Sequence, residues 1–331
     1  MSSPLRARIS AFGFHFPGDQ VEIASLPLTP DERDRLPRLG QAHTFISAED
    51  STALMVHAAR AALERCGRPA SALRMVISAP SLMTSYGLEI PAVALRAQLG
   101  LVNAQCLNLA QGCVGVLRAI ELAAELLAGS VEGGDILVVT SCRASAHTRN
   151  MNHGAFFWGD AAAAVVLSAT PGPGPRVEGY AEAAADTNWG AMRIELGDAS
   201  GPPPDAAHHG QIAVSFPTKE DQIDYIRGEQ ARFARVVDAL LAAQGLVQED
   251  ISAIFVPSTG KNRAPILFSA HRALRDRLAT DFRCGHLGGV DPILSLFQYL
   301  QGPTAADGAW MMALSPAFAA QWGGLLLRNR S

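Results

Sequence analysis

Cys113 is the residue whose position in this chain most suggests chemistry. It follows the turn Ala110-Gln111-Gly112 and opens an apolar segment that continues to Leu127, a pattern that predicts a turn leading into a buried helix. The positive end of a helix dipole stabilises a thiolate, and the same terminus offers backbone N–H groups to an oxyanion. Cys113 is therefore a candidate nucleophile; the alternative interpretation is a small buried core residue.

The elements that would position Cys113 alternate between strand-like and helix-like patterns. Apolar runs in the first half predict strands over Arg6 to Phe14, Arg74 to Ala79, Gln105 to Leu109, Asp135 to Thr140 and Ala161 to Ser168. Amphipathic or apolar segments between them predict helices over Glu49 to Arg65, Pro91 to Leu99 and Cys113 to Leu127. This alternation predicts an α/β protein.

The second half of the chain follows a similar order. It predicts strands over Arg176 to Ala184, Ile254 to Pro257, Ala309 to Leu314 and Trp322 to Arg328, and helices over Lys219 to Gln244, Asn262 to Leu274 and Asp291 to Leu300. The segment from Pro171 to Pro175 alternates proline and glycine, which neither a helix nor a central strand tolerates. We therefore predict two related halves, residues 1–170 with Cys113 and residues 171–331.

The composition excludes several classes of function. Of 331 residues, 48% are hydrophobic and 18% charged, with a net charge of -4 and no basic block, so a nucleic-acid partner is not expected. The longest strongly apolar run, Ala161 to Leu167, falls far short of the roughly 20 residues of a membrane span. Met1 to Gln20 lacks a signal peptide, and the five cysteines form no CxxC pair. We expect a cytoplasmic protein with free thiols and no membrane association.

Several motifs give the sequence a family resemblance. The segment Asn108-Leu-Ala-Gln-Gly-Cys113-Val-Gly-Val-Leu-Arg-Ala-Ile resembles the nucleophile segment of type III β-ketoacyl-acyl-carrier-protein synthases. Gly159-Asp160 and the strand to Leu167, Val256-Pro257, and the C-terminal stretch from Gly308 to Arg328 are similar to further family motifs in the same order. The resemblance implies a thiolase fold, with two pseudo-symmetric βαβαβ-type halves in a layered α-β-α-β-α architecture. It also implies a homodimer and a nucleophilic Cys113.

Two positions depart from the family pattern. Condensing enzymes of the family use a histidine after Val-Pro and an asparagine in a Gly-Asn pair, where this chain has Ser258 and His286. The histidine–asparagine pair binds the thioester carbonyl while malonate loses carbon dioxide. Ser258 is a weak neutral donor and does not easily replace imidazole in stabilising an enolate. The departures therefore disfavour decarboxylative condensation.

His286 and Asp291 suggest a different reaction. A cysteine, a histidine and an aspartate are a nucleophile, a base and a group that orients the base. Asp291 follows His286 by five residues and precedes Pro292, so it could alternatively cap a helix, and His286 could be an ordinary loop histidine. The His-x4-Asp arrangement is similar to a divergent acyltransferase branch of the family that acts in polyketide antibiotic pathways.

Three functions remain open on these residues. The favoured one is transfer of an acyl group from an acyl carrier protein or CoA thioester, through acyl-Cys113, to a hydroxyl or amine of a natural-product acceptor. The alternatives are a carbon–carbon condensing synthase III and a non-catalytic partner subunit of a synthase. No cofactor is expected, since the phosphopantetheine thioester is itself the substrate. Cys284-Gly285-His286 lacks a second ligand pair, so no metal site is expected either.

The resemblance also implies roles for residues outside the triad. The backbone N–H groups of Cys113 and Phe318 align with the two oxyanion donors. Arg263 aligns with an arginine that docks the acidic carrier protein, and Lys261 and Arg272 lie nearby, although a solvated helix face explains these charges equally well. The family's CoA-gripping segment is not recognisable in Arg35 to Glu49, which favours a carrier protein as donor.

Overall fold

Strands and helices alternate along the chain in the computed structural model, which describes residues 7–18, 20–84, 88–129, 133–148, 155–185, 190–194, 196, 210–214, 216–317 and 321–330. The strands are β1 Arg8–His15, β2 Gln20–Glu22, β3 His43–Phe45, β4 Leu73–Ser78, β5 Gln105–Asn108, β6 Asp135–Arg143, β7 Asp160–Ser168, β8 Arg176–Ala184, β9 Met192–Ile194, β10 Ile212–Val214, β11 Ile251–Phe255, β12 Trp310–Ala317 and β13 Gln321–Arg328. The helices are α1 Pro30–Leu39, α2 Ser51–Cys66, α3 Pro91–Gln98, α4 Gly115–Ala128, α5 Lys219–Ala242, α6 Ala264–Leu267, α7 Arg272–Arg275 and α8 Val290–Leu300.

Nine strands form one sheet that contains an internal repeat. Their order is β11-β12-β13-β8-β1-β7-β6-β4-β5. In the first half β4 is parallel to β6, and β6-β7-β1 are antiparallel; in the second half β11 is parallel to β12, and β12-β13-β8 are antiparallel. In the first half, β4 also pairs in parallel with β5. At the corresponding place in the second half, Leu278 forms an isolated parallel bridge with Ile254 of β11. The α/β class and the repeated halves therefore agree with the sequence prediction.

The proline–glycine segment between β7 and β8 is packed against both ends of the chain. Gly174 donates its N–H to the Arg330 carbonyl at 2.6 Å, and Arg8 donates to the Pro173 carbonyl at 2.6 Å. The strands on either side both neighbour β1, although β1 and β8 share only the pair Arg8 and Arg176. The two halves are thus joined within one sheet, and the domain boundary at residue 170 stays a prediction.

Two helices lie between the sheet segments of the two halves. Both α4 and α8 contact strands from each half, whereas α2 packs on β1, β6 and β7 and α5 packs on β8 and β13. Strand β6 shows the consequence: Ile136 and Val138 belong to the central core, and Leu137 and Val139 belong to the core under α2. A strand covered on both faces needs apolar residues at successive positions, which explains its continuous apolar sequence.

Some elements differ from the sequence prediction. The helix predicted over Asn262 to Leu274 is instead two short helices, α6 and α7, separated by a turn. His271 at this turn is buried, and its Nε2 lies 2.8 Å from Asp238 Oδ1 on α5. The short strands β2, β3, β9 and β10 were not predicted, since three residues carry too little periodicity. Within the described ranges, no helix is long and apolar enough to cross a membrane.

Gly13 allows α2 to lie directly on β1, and this contact generates a stability prediction. A Cβ at Gly13 would lie 2.1 Å from the Ala58 carbonyl oxygen and 2.3 Å from the Ala62 nitrogen, both on the helix backbone. We expect Gly13→Ala to lower the free energy of unfolding by about 3 kcal/mol, since the helix must move away from the strand. Urea denaturation measures the change. Gly18→Ala is the control, because a Cβ there meets nothing within 4 Å; equal losses in both variants would contradict the prediction.

Candidate active site

Cys113 lies in a tight turn between β5 and α4. Gly112 has a φ of 57°, a left-handed conformation that favours glycine, and it opens a 3-10 turn over Gly112–Val114 that runs directly into α4. Cys113 is only 2% exposed, yet it forms part of a cavity wall. The predicted position at a helix start is therefore observed, two residues before the first residue of α4.

The structure brings Cys113, His286 and Asp291 together in one line of contacts. The Sγ atom of Cys113 lies 3.5 Å from Nε2 of His286, and Nδ1 of the same ring lies 2.5 Å from Oδ2 of Asp291. The two ring nitrogens are thus used separately, one toward the thiol and one toward the carboxylate. This arrangement orients the imidazole so that Nε2 can exchange a proton with the sulfur.

The Asp291 carboxylate is buried and held by backbone donors as well as by His286. The N–H of Ser258 donates to Oδ2 at 2.8 Å, and the N–H of Leu287 lies 3.2 Å from both carboxylate oxygens. Helix α8 begins at Val290 with Gly289 as its N-cap, and no side chain caps it. The alternative interpretation of Asp291 as the helix cap is therefore wrong, because its carboxylate faces the histidine.

The backbone and ring of His286 are both fixed by the segment that precedes β7. His286 donates its N–H to the Phe157 carbonyl at 2.7 Å and accepts from the Gly159 N–H at 2.9 Å. Its ring packs against Trp158, with centroids 4.7 Å apart, and meets Phe156 edge-on at 5.2 Å. Sequence reasoning missed these aromatic residues, although the run Phe156-Phe157-Trp158 directly before the Gly159 motif was a visible signal.

The surroundings of His286 favour its charged form. Burial lowers the pKa of His286, but the charge of Asp291, its hydrogen bond to the ring and the adjacent Cys113 together outweigh burial and raise that pKa to about 9. An imidazolium beside the Cys113 sulfur stabilises a thiolate. The site thus places a positively charged ring 3.5 Å from the sulfur of the candidate nucleophile.

Ser258 is part of the scaffold around Asp291. Its hydroxyl donates to the Cys284 carbonyl at 2.6 Å, and its own carbonyl accepts from Gln41 Nε2 at 2.7 Å. Gln41 is buried and also accepts from the Phe157 N–H at 2.9 Å, so one side chain ties two loops of the site together. Sequence reasoning missed Gln41, which carries no motif. The hydroxyl of Ser258 is directed at a backbone carbonyl instead of a substrate.

Two cavities are lined by residues around the Cys113–His286 contact. The smaller, about 410 Å³, is lined by Cys113 and Trp158; the larger, about 640 Å³, is lined by Phe156. Met192 borders both. Trp158 and Phe156 both pack on His286, so each cavity is bounded in part by a ring that contacts the base.

Basic residues border the larger cavity. Arg35 and Arg38 of α1 line it, and sequence reasoning missed both because the family's CoA-binding pattern is not recognisable there. Arg263 also lines it, but its guanidinium lies 2.5 Å from Glu229 and is 22% exposed, so it is poorly placed to meet a carrier protein. Lys261 is exposed beside α1 and donates its N–H to the Leu39 carbonyl at 2.9 Å.

The remaining predicted residues have different outcomes. Arg272 is exposed at the start of α7 and is absent from the described walls of both cavities. Phe318, the predicted second oxyanion donor, lies outside the described residues. The absence of a metal site stays a prediction, since potential ligand atoms of His15, Glu49 and His57 lie within 4.8 Å of one another.

Comparison with known sequences finds similarity to one family over part of the chain. Residues 107–185 match the family model 3-oxoacyl-[acyl-carrier-protein (ACP)] synthase III. The mycobacterial β-ketoacyl-[acyl-carrier-protein] synthase III of Mycobacterium avium is 33% identical over 141 residues, and the match spans 41% of each chain. The β-ketoacyl-[acyl-carrier-protein] synthase III of Thiobacillus denitrificans is 25% identical over 252 residues, or 74% of each chain.

Solved structures match over almost the whole chain. ChlB3, named an acyltransferase, has a TM-score of 0.81 at 18% identity and covers 98% of both chains. The 3-oxoacyl-(acyl carrier protein) synthase III of Pseudomonas aeruginosa PAO1 has a TM-score of 0.81 at 18% identity, covering 98% of this chain and 99% of the other. The priming β-ketosynthase of the R1128 polyketide pathway has the same TM-score and identity, with 100% and 99% covered. At this identity the likeness establishes the thiolase fold alone.

The raised pKa of His286 generates a pH-dependent stability prediction. A pKa that rises from about 6.5 in the unfolded chain to about 9 in the folded chain stabilises the fold fully below pH 6.5. The contribution disappears as pH rises through about 9. We expect Asp291→Asn, which removes the carboxylate charge, to reduce the free energy of unfolding most at pH 6 and progressively less toward pH 10. Urea titrations at several pH values measure this.

Asp276→Asn serves as the control because Asp276 is exposed. Its effect on the free energy of unfolding should be small and constant between pH 6 and pH 10. A loss in Asp291→Asn that does not change over this range would mean that the carboxylate does not stabilise an imidazolium.

Proposed function

We propose that this chain, a thiolase-fold member of the type III β-ketoacyl-acyl-carrier-protein synthase family, is an acyltransferase that works through acyl-Cys113. The observation that carries the proposal is the continuous contact from Cys113 Sγ through His286 to Asp291, at 3.5 Å and 2.5 Å. These groups supply a nucleophile, a base and a carboxylate that orients the base. The acceptor is a hydroxyl or an amine.

In the first half-reaction Cys113 takes the acyl group. The thiolate attacks the carbonyl carbon of the donor thioester, and the resulting oxyanion is stabilised by the Cys113 backbone N–H at the helix start. The carbon–sulfur bond to phosphopantetheine then breaks. The departing thiolate receives the proton from the His286 imidazolium, which leaves acyl-Cys113, a free pantetheine thiol and a neutral imidazole.

In the second half-reaction the acyl group leaves Cys113. Neutral His286 accepts the proton from the acceptor hydroxyl or amine as its oxygen or nitrogen attacks the thioester carbonyl. The bond to Sγ breaks, and the ester or amide product departs. The thiolate and the imidazolium are both regenerated, with the Asp291 carboxylate stabilising the charge that forms on the ring.

A condensing synthase III is the second candidate, because the relatives' names describe that activity. Condensation needs a group that stabilises the enolate formed when malonate loses carbon dioxide. The Ser258 hydroxyl donates to the Cys284 carbonyl at 2.6 Å, so it is already engaged. His286 is similarly committed to Cys113 and Asp291. These contacts favour the acyltransferase.

The cavities and the surface suggest the partners. The arginine-bordered larger cavity suits a negatively charged phosphopantetheine arm on an acyl carrier protein or CoA, and the smaller cavity beside Cys113 suits the acyl group. The described edge of the sheet is β5, and Val102, three residues before it, is 69% exposed. An unpaired edge beside an exposed apolar side chain favours self-association, so we propose a homodimer. We also propose a cytoplasmic location, because all five cysteines are free thiols, as a reducing compartment keeps them.

The acyl-enzyme is tested by intact mass after incubation with a panel of acyl carrier proteins. We expect one acyl group on the wild-type chain and none on Cys113→Ala. On addition of hydroxyl or amine acceptors, His286→Ala should transfer the acyl group more than about 100-fold more slowly, the low end of general-base contributions. Malonyl carrier protein should release no labelled carbon dioxide.

The control for the acylation assay is Cys142→Ala. Cys142 is another buried thiol, but burial raises its pKa well above the ordinary value, so it is a poor nucleophile. This variant should acquire the acyl mass as the wild-type chain does. Acylation of Cys113→Ala would overturn the nucleophile assignment, and stoichiometric carbon dioxide with a β-ketoacyl product would establish condensation instead.

Carrier docking is tested by reversing one charge near the larger cavity. Lys261 is exposed beside α1, so we expect Lys261→Glu to raise KM for an acyl carrier protein by about 10-fold at low ionic strength. An N-acetylcysteamine thioester carries no protein and should react unchanged. Arg60→Glu on α2 is the control and should change neither KM. An equal loss with both donors would indicate a structural role for Lys261.

A further inference from the structure

The smaller cavity beside Cys113 contains an acidic side chain that the proposed reaction does not use. Apolar groups such as Leu109 and Trp158 line much of this cavity, which has a volume of about 410 Å³. Glu89 lines it as well, just before the start of α3. A carboxylate in a pocket that receives an acyl chain needs a physical explanation.

One oxygen of Glu89 is held in place, and the other has no partner. The hydroxyl of Thr52, a residue only 4% exposed in α2, donates to Oε1 at 2.5 Å. Oε2 is buried and has no hydrogen-bond donor among the described residues. Among the described residues no lysine, arginine or histidine forms a salt bridge with Glu89, although Arg193 lines the same cavity. The side chain is therefore fixed by Thr52 while its second oxygen is left unsatisfied.

A ligand can supply the missing donor. A buried carboxylate oxygen without a hydrogen bond is unfavourable. An unsubstituted acyl chain in the cavity supplies no donor and would leave that oxygen unpaired. An acyl chain that carries a hydroxyl or an amino group would satisfy Oε2 once the carboxyl group turns this oxygen, which has almost no accessible surface here, toward the cavity. Sites built around a hydrogen bond to the substrate reject analogues that lack the donor, because the protein group is then left unpaired.

We propose that Glu89 selects acyl groups that carry a hydrogen-bond donor, a hydroxyl or an amine, along the chain. The inference rests on the proposed function in one respect, since it assigns the smaller cavity to the acyl group. Thr52 is the positioning residue that orients the carboxyl group, and Oε2 of Glu89 accepts the hydrogen bond from the substrate. The cavity thereby discriminates against simple saturated acyl groups.

Binding to Cys113→Ala tests the selection without any covalent step. The probes are stable amide analogues of acyl-pantetheine: hexanoyl, and hexanoyl with a hydroxyl or an amino group at carbon 3, 4 or 5. We expect at least one substituted probe to bind about 10-fold more tightly than hexanoyl in calorimetric titrations. Combining Cys113→Ala with Glu89→Leu should abolish that preference, because leucine provides no acceptor.

Glu89→Gln in the same background separates the two kinds of donor. Glutamine is neutral but keeps an acceptor oxygen, so a preference for an amine should fall sharply and a preference for a hydroxyl should fall less. Glu64→Gln, at an exposed position of α2, is the control and should leave the preference unchanged. Glu89→Gln also keeps the test valid if Glu89→Leu fails to fold, because glutamine preserves the shape of the side chain.

Two results would overturn the proposal. In the first, hexanoyl binds as tightly as every substituted probe; in the second, a preference for substituted probes survives in both Glu89 variants. Either result is separate from a failure of the proposed function, which is read from acylation of wild-type Cys113. A chain that selects donor-bearing probes but never forms acyl-Cys113 would support the role of Glu89 and refute the acyltransferase.

Discussion

A carboxylate removed from water must be compensated by hydrogen-bond donors or positive charge, and the site of this protein is organised around one such group. Asp291 is 4% exposed and receives the N–H groups of Ser258 and Leu287 in addition to the His286 ring. The donors come from the Ser258 loop and from the consecutive residues His286 and Leu287. Compensating the carboxylate therefore fixes the Ser258 loop, the turn into α8 and the tautomer of His286 at once.

The replacement of a catalytic imidazole by Ser258 is consistent with this constraint. The family pattern places a histidine after Val-Pro, whereas here the Ser258 backbone supports Asp291 and its hydroxyl supports the Cys284 carbonyl. The imidazole of this site comes from His286 instead, and its second nitrogen is occupied by the carboxylate. A site with one oriented imidazole is suited to moving a single proton between sulfur and an acceptor, as acyl transfer to oxygen or nitrogen requires.

The two cavities near the site differ in the side chains that line them. The larger cavity is bordered by three arginines and by Glu229, and the smaller one is largely apolar, with Glu89 and Arg193 as its charged residues. Under the proposed function, the charged arm of a donor and the acyl group would meet different surroundings. Because the rings of Phe156 and Trp158 both pack on His286, the shape of each cavity and the position of the base depend on the same aromatic residues.

The amino-acid sequence by itself determined the α/β class, most of the strands and the candidate nucleophile. These features are local: continuous apolar runs mark strands covered on both faces, and the Gly112 turn places Cys113 at a helix start. The motifs also singled out His286 and Asp291. Hydrophobic periodicity could not show that the segment around Phe268 turns instead of continuing as a helix, because burial against α5 decides it.

Only the tertiary structure decided which residues share the site. Gln41, Trp158 and Glu89 are far from one another in sequence and belong to no motif, yet each contacts the site or its cavities. The role of Asp291 was also ambiguous in sequence, since an aspartate before a proline is a common helix cap. The fold resolved it by placing Gly289 at the cap and turning the carboxylate toward His286. Such contacts depend on the relative placement of distant segments, which local sequence patterns do not encode.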